Sequence, residues 1–336
     1  MIAELVQKRL NGGHFTQQEA QQFFASVVAG DVDPIDLTAV LVAGKLQGIQ
    51  ADEVAGAAQA LRAAATPFPI QARNSIDCCG TGGDGSNTIN ISTTAAIIAA
   101  AAGLSVAKHG NRSVSSKSGS ADLLESLGVN IQLSPEQAAQ SLQQAGCAFL
   151  FAPLYHAGIR FAMPVRQQLK TRTLFNVLGP LLNPAAPGFQ LLGVYDPALG
   201  PVMAQALAQL DVSTAWVVHG SGCDEIALHG PTQVTELRDG AIRQFTLTPA
   251  DFGLPERALH ELAGGNPTEN AAASLAILQG KGLAAHQDAI AANVAAMMAI
   301  TGVNADLKDN VAHIKQLLSS DKGYRTLQLM KEASHG

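Results

Sequence analysis

A chain of 336 residues is too long for one simple core, so one large domain plus a small one is the natural expectation. With 47% hydrophobic and 14% charged residues it reads as globular, which excludes a disordered chain. The formal net charge is −6 and no block of Lys and Arg stands out, so the electrostatic footprint of a nucleic-acid binder is missing. Any bound polyanion is expected to be small, held by local loops and a metal ion. Aromatic residues make up only 4%, while Ala and Gly abound, so helices are expected to pack through small side chains. Cys78, Cys79, Cys147 and Cys223 show neither metal-ligand spacing nor a disulfide framework, and the expectation is reduced thiols in a cytoplasmic protein. The opening MIAELVQKRLNGG lacks a signal peptide's apolar core, and TTAAIIAAAAGLSVA is too short to span a membrane.

The first 66 residues read as helices. Ile2, Leu5, Val6 and Leu10 share one helical face. Thr16 and Glu19 form a capping-box pattern, and Asp33-Pro34 opens a third helix that ends near Gly48. ADEVAGAAQALRAAA is a fourth helix, and TPFPIQARNS breaks the pattern as a linker. The division expected is a helical domain over 1–70 and an α/β domain over 71–336. Beyond the linker, short apolar runs alternate with helical ones. SIDCCGT, LSVAKHG, VNIQL, CAFLFAP, FQLLGVYD and STAWVVHG read as strands, and TQVTELRDGAIRQFTL as a hairpin turning at Asp239-Gly240. This alternation predicts an α/β fold with a largely parallel central sheet. Residues 160–188 interrupt it and are expected to pack back on the N-terminal helices.

Gly80-Thr81-Gly82-Gly83-Asp84-Gly85 satisfies G-x-G-x-x-G, but its context rejects a dinucleotide site. No helix opens directly from the loop. The next strand ends in Lys108, where a ribose-binding carboxylate is required. A second polar loop, Asn87 to Thr94, leads into a helix whose start favours an anion, and the Ser92 hydroxyl there is placed to reach a metal ion. A third, KHGNRSVSSKSGSAD, carries two lysines, an arginine and five serines between strand and helix. Three polar loops at one edge of an α/β sheet suit an extended phosphate-sugar ligand. Asp224-Glu225 is the best candidate for the few carboxylates that Mg²⁺ requires beside phosphate oxygens. Arg166, on a helical stretch, suits bidentate capture of a carboxylate.

Taken together, CGTGGDGSNTINIST, AKHGNRSVSSKSGSAD, RTLFNVLGPLLNP and the late DE resemble the anthranilate phosphoribosyltransferase family of tryptophan biosynthesis, over essentially the whole chain. The resemblance implies a helical domain and an α/β domain with a cleft between, a fold similar to that of pyrimidine nucleoside phosphorylases. It implies a cytoplasmic homodimer, formed through the N-terminal helices, that uses Mg²⁺. Gly80, Gly83, Asp84, Thr88, Asn90, Ile91, Ser92, Thr93, Lys108, His109, Gly110, Asn111, Arg112, Ser113, Val114, Ser115, Ser116 and Ser120 would bind phosphoribosyl pyrophosphate. Ser92, Asp224 and Glu225 would hold the metal, with Lys108, Asp224 and Glu225 catalytic. Gly80, Asn111 and Arg166 would meet anthranilate, with His109, His156, Gly179 and Pro180 near it. Lys170 departs from the glycine expected there in many members. Two rivals fit less well. A pyrimidine nucleoside phosphorylase would carry a KHSTGG-like loop where this chain has KHGNRS, and a non-catalytic nucleic-acid-binding relative would be basic and lack the acidic pair.

Overall fold

The computed structural model describes residues 1–113 and 116–335. Four helices open the chain: α1 (Ile2–Leu10), α2 (Gln17–Ala29), α3 (Pro34–Gln47) and α4 (Ala51–Ala63). Their starts follow from the sequence. Thr16 accepts the Glu19 N–H while the Glu19 carboxylate accepts the Thr16 N–H, which completes the capping box. Asp33 accepts the Ile35 N–H, with Pro34 in the first turn. α2 and α4 approach closely because α4 presents Ala55, Gly56, Ala57 and Ala58, all buried. A Cβ on Gly56 would collide with the Gln17 carbonyl and the Ala20 methyl group.

The sheet that follows has seven strands in the order β3-β2-β1-β4-β5-β6-β7. They are β1 (Ile76–Gly80), β2 (Val106–Gly110), β3 (Cys147–Phe151), β4 (Phe189–Gly193), β5 (Thr214–Gly220), β6 (Thr232–Arg238) and β7 (Ala241–Leu247). The first five run parallel, and β6 and β7 add an antiparallel hairpin at one edge. The hairpin turns at Asp239-Gly240, where both φ angles are positive (51° and 79°), as a tight two-residue turn requires. VNIQL is not a strand. Val129, Ile131 and Leu133 are buried in alternation. Around them, however, the polar groups of the segment turn to side chains: Asn130 N–H donates to Ser334 Oγ (3.1 Å) and Gln132 N–H to Asn130 Oδ1 (3.0 Å). Alternation described the burial correctly but not the hydrogen bonding.

Alternate strand residues feed opposite layers. Ile76, Cys78, Val106, Phe149, Leu191, Trp216 and Val218 pack with helices α5 (Ile91–Ala101) and Ala284–Ile300. Leu192, Val194, Ala215 and Val217 pack on the other side with the helix Leu199–Gln209 and all four N-terminal helices. Ala162, Val165, Phe175, Val177 and Leu178 join this second cluster, and Phe175 meets Phe24 edge-on at 5.7 Å.

Candidate active site

β1 is flanked by β2 on one side and β4 on the other, so the chain leaves the sheet in two directions at this point. In an open α/β sheet that divergence opens a crevice at the strands' carboxyl ends. The glycine loop emerges there. Thr81 N–H donates to the Gly193 carbonyl (2.9 Å), and Tyr195 N–H to Thr81 Oγ1 (3.1 Å), which fastens the loop to the end of β4. Gly82, Gly83 and Gly85 all have positive φ, a conformation that favours glycine. Gly80 and Gly193 are needed for another reason: a Cβ on either would collide with Asp224.

Asp224 therefore lies against the ends of two strands. Its Oδ2 accepts the Gly82 N–H (2.7 Å), and its own N–H donates to Asp84 Oδ2 (3.3 Å). Glu225 Oε1 accepts the Ser92 N–H (3.2 Å) in the first turn of α5. Burial, then the neighbouring Asp84 charge, pushes the Asp224 carboxyl up to about 6. Burial and Asp224 push Glu225 up to about 8. Carboxylates crowded together in this way favour a bound cation. Among the described residues no three His, Cys, Asp or Glu side chains converge on a ready-made metal cage. That donor set suits a hard divalent ion that completes its shell with ligand oxygens and water, and does not suit zinc.

A buried cation comes from β2. Lys108 is buried and donates its Nζ to the Cys78 carbonyl. Burial works against its charge, yet Cys78, Asp77, Cys79 and Glu225 around it hold its pKa above the usual value. Asp77 on β1 is wholly buried and lies outside the expected site. It accepts His109 N–H (3.3 Å) and Asn183 Nδ2 (2.9 Å), and Asn183 also donates to the Ala107 carbonyl (2.7 Å). His109 Nδ1 reaches the Gly179 carbonyl (3.2 Å), and its ring meets His156 edge-on at 5.3 Å. Burial pushes His109 down to about 3, so the ring is neutral. Gln190 holds the Pro180 carbonyl (2.6 Å) beside this pair. His109, His156, Gly179 and Pro180 thus form one wall.

The third loop is organised from within. Arg112 is paired with Asp122 (3.1 Å) and with Glu125, and lies over the Phe151 ring. Asp122 also accepts the N–H groups of Ser113 (3.0 Å) and Gly119 (2.9 Å). Ser120 Oγ donates to the Asn111 carbonyl (3.1 Å), a Cβ on Gly110 would meet that same hydroxyl, and Ser113 and Ser116 bond each other. Asn90 joins the second loop to the third through the Ser118 carbonyl (3.0 Å), and is itself held by Asn270 (2.8 Å). Thr88 forms an isolated bridge with Ala263. Ile91 and Thr93 are buried, and the Ile91 N–H already donates to the Ile89 carbonyl (2.7 Å). Val114 and Ser115 lie outside the described residues. Among the described residues of the expected site, Arg166 makes its contacts away from these loops. It lies on the helix Met163–Leu169, over the Phe175 ring at 5.1 Å.

Sequence reading missed Asp77, Asn183, Asn270 and Arg172. Arg172 donates to the Gly83 carbonyl and stacks on Tyr195 at 3.8 Å. Asp77 left a signal as a carboxylate inside an apolar strand, and Arg172 and Asn183 lie within RTLFNVLGPLLNP, though no role was read from them; Asn270 left none, because its bond to Asn90 is remote in sequence.

This combination of helical bundle, parallel sheet and carboxylate-lined loop crevice defines a class, and comparison with known proteins agrees. Residues 3–65 match the family described as glycosyl transferase family, helical bundle domain, and residues 72–324 match its a/b domain. The anthranilate phosphoribosyltransferase of Pseudoalteromonas translucida (strain TAC 125) is 52% identical over 335 residues, covering 100% of this chain and 94% of that protein. That of Aeromonas hydrophila is 53% identical over 324 residues, 96% of this chain and 95% of its own length. The solved anthranilate phosphoribosyltransferase (TrpD) from Thermus thermophilus superposes with a TM-score of 0.94 at 39% identity, covering 99% of both chains. The Saccharomyces cerevisiae enzyme in complex with PRPP and Mg gives 0.90 at 27%, covering 99% of this chain and 98% of that one. The chain belongs to the anthranilate phosphoribosyltransferases.

Proposed function

We propose that the protein transfers the phosphoribosyl group of 5-phosphoribosyl 1-pyrophosphate to the amine of anthranilate, releasing pyrophosphate, in tryptophan biosynthesis. The observation that carries this reading is the seat of Asp224 and Glu225 between the glycine loop and the start of α5. Those carboxylates, with Ser92, would hold Mg²⁺, which neutralises charge on the departing pyrophosphate. Backbone N–H groups of the glycine loop and of the first turn of α5 other than those of Thr81, Gly82, Ile91 and Ser92, which are already bonded, would orient the phosphates. Thr88, Asn90, Lys108, the run from His109 to Ser116 and Ser120 would bind the sugar donor, and Lys108 adds a buried positive charge that needs no reorganisation when the bond breaks. Gly80, Asn111 and Arg166 would receive anthranilate, beside the neutral ring of His109 and the His156 ring that packs on it. An aromatic amine is unprotonated near neutrality, so a strong base is not required and placement of the two substrates is the main task.

Residues 1–70, with 160–188 packed on them, form the helical domain in this reading, and 71–336 the α/β domain. The shared cluster of Phe24, Phe175, Val165 and Leu178 supports that grouping. The protein acts as a homodimer through the N-terminal helices, a reading supported by the exposure of Ile35 (78%) and Leu46 (80%) on α3. The activity is tested by the loss of anthranilate fluorescence with phosphoribosyl pyrophosphate and Mg²⁺, each component omitted in turn. Lys108→Ala, or Asp224→Asn with Glu225→Gln, is expected to lower turnover by about a hundredfold or more with the circular dichroism spectrum unchanged. Near-normal turnover in either variant contradicts the assignment.

A further inference from the structure

The turn that delivers Asp224 and Glu225 rests on a histidine outside the expected site. β5 ends at Gly220, and Ser221-Gly222 reverse the chain with φ of +49° and +98°. Gly220 and Cys223 exchange both backbone hydrogen bonds across the reversal (2.8 and 3.0 Å). Serine disfavours a positive φ, so neighbouring contacts must hold the turn. From outside, Ser221 Oγ donates to the Pro231 carbonyl (2.8 Å) and the Ser221 carbonyl meets His229 Nε2 (3.1 Å). On β5 itself, His219 Nδ1 lies 2.8 Å from the Val194 carbonyl, and the Gly222 N–H points at His219 Nε2 (3.2 Å).

A carbonyl only accepts and an N–H only donates. One state of the ring satisfies both: neutral, with the proton on Nδ1 and the lone pair on Nε2. Val194 follows Gly193, whose Cα packs against the Asp224 backbone too tightly to admit a Cβ. The imidazole therefore pins the turn preceding Asp224 to the strand end that Asp224 touches. One side chain thus touches both neighbours of the carboxylate pair and links them.

We propose that His219 is a positioning residue for Asp224 and Glu225. Its Nδ1-protonated tautomer fixes the Ser221-Gly222 turn and so the place of both carboxylates. The proposal rests on the reading of that pair as metal-holding.

Three variants separate the two hydrogen bonds. His219→Asn keeps a donor near the place of Nδ1 and loses the acceptor for Gly222. His219→Gln carries an acceptor out to the place of Nε2. His219→Ala loses both. Asn and Ala are expected to raise the Mg²⁺ concentration for half-maximal turnover about tenfold, the effect usual for a residue that orients metal ligands, with kcat changed less than about threefold. The Kd for Mn²⁺ of the protein loaded with phosphoribosyl pyrophosphate, titrated by electron paramagnetic resonance, should rise by the same factor, and Gln should recover most of it. In the unmodified protein, ¹⁵N NMR should show His219 protonated at Nδ1 alone. Unchanged Mn²⁺ affinity in both Asn and Ala, or a ring protonated at Nε2, overturns the proposal. The tautomer measurement decides it even where a variant fails to fold. If Asp224→Asn with Glu225→Gln leaves Mn²⁺ binding intact, the metal-holding reading itself fails, a result separate from the His219 variants.

Discussion

At the scale of the residue, Arg166 is the proposed contact for the carboxylate of anthranilate. No carboxylate pairs with it among the described residues, and its guanidinium lies over Phe175 with Nη1 3.8 Å from Met163 Sδ. Burial lowers its pKa, but an arginine stays charged near neutrality. A charged, flat and unpaired donor fork is what a carboxylate-bearing acceptor needs. Arg166→Ala is expected to raise the KM for anthranilate by about tenfold to a hundredfold, in line with a lost charge-assisted pair of about 1.5–3 kcal/mol. The KM for phosphoribosyl pyrophosphate should change far less, and steady-state kinetics with each substrate varied will show whether it does. Arg112 differs in kind. The family resemblance assigns it to the sugar donor, and Asp122 and Glu125 take three of its five N–H donors, so it also braces the third loop.

At the scale of the element, helix ends carry the clearest messages. The capping box at Thr16 was legible because its hydrogen bonds span three residues, and a Thr16→Ala variant should lose about 1 kcal/mol, measured by urea unfolding. Lys170 is the reverse case. It ends the helix Met163–Leu169 with φ +46° and ψ +33°, in the left-handed region that glycine enters without steric cost. The glycine expected there by resemblance now has its physical reason. Lys170→Gly should stabilise the fold by about 0.5–1 kcal/mol, seen as a rise in Tm, because the relieved strain outweighs the added chain entropy. No change or a fall in Tm would contradict that balance. The segment VNIQL marks the limit of periodicity. Its alternation reported burial, which is local, whereas strand pairing depends on a neighbour that only the fold supplies.

At the scale of the whole molecule, two layers of core meet along the sheet, and the N-terminal helices belong to only one of them. α1 and α3 pack together, and α3 leaves Ile35 and Leu46 almost bare. A side chain of that size loses about 1.5–3 kcal/mol of possible burial when left in water. If the proposed homodimer forms through α3, the unmodified chain is expected to sediment as a dimer in sedimentation velocity and Leu46→Glu to shift it toward monomer. A monomeric unmodified chain would remove the basis for the homodimer.

The sequence by itself determined the order of helices and strands apart from VNIQL, the three polar loops and the chemistry of their contents. Periodicity, caps and turn residues act over a few positions, and those loops are contiguous. Only the tertiary structure decided which of these residues meet. Gly82 and Asp224 are bonded across 142 positions, and Ser92 and Glu225 across 133. Asp77 and Asn183 close a buried link across 106. Such contacts depend on strand order and on glycines that leave room, and no local pattern encodes either.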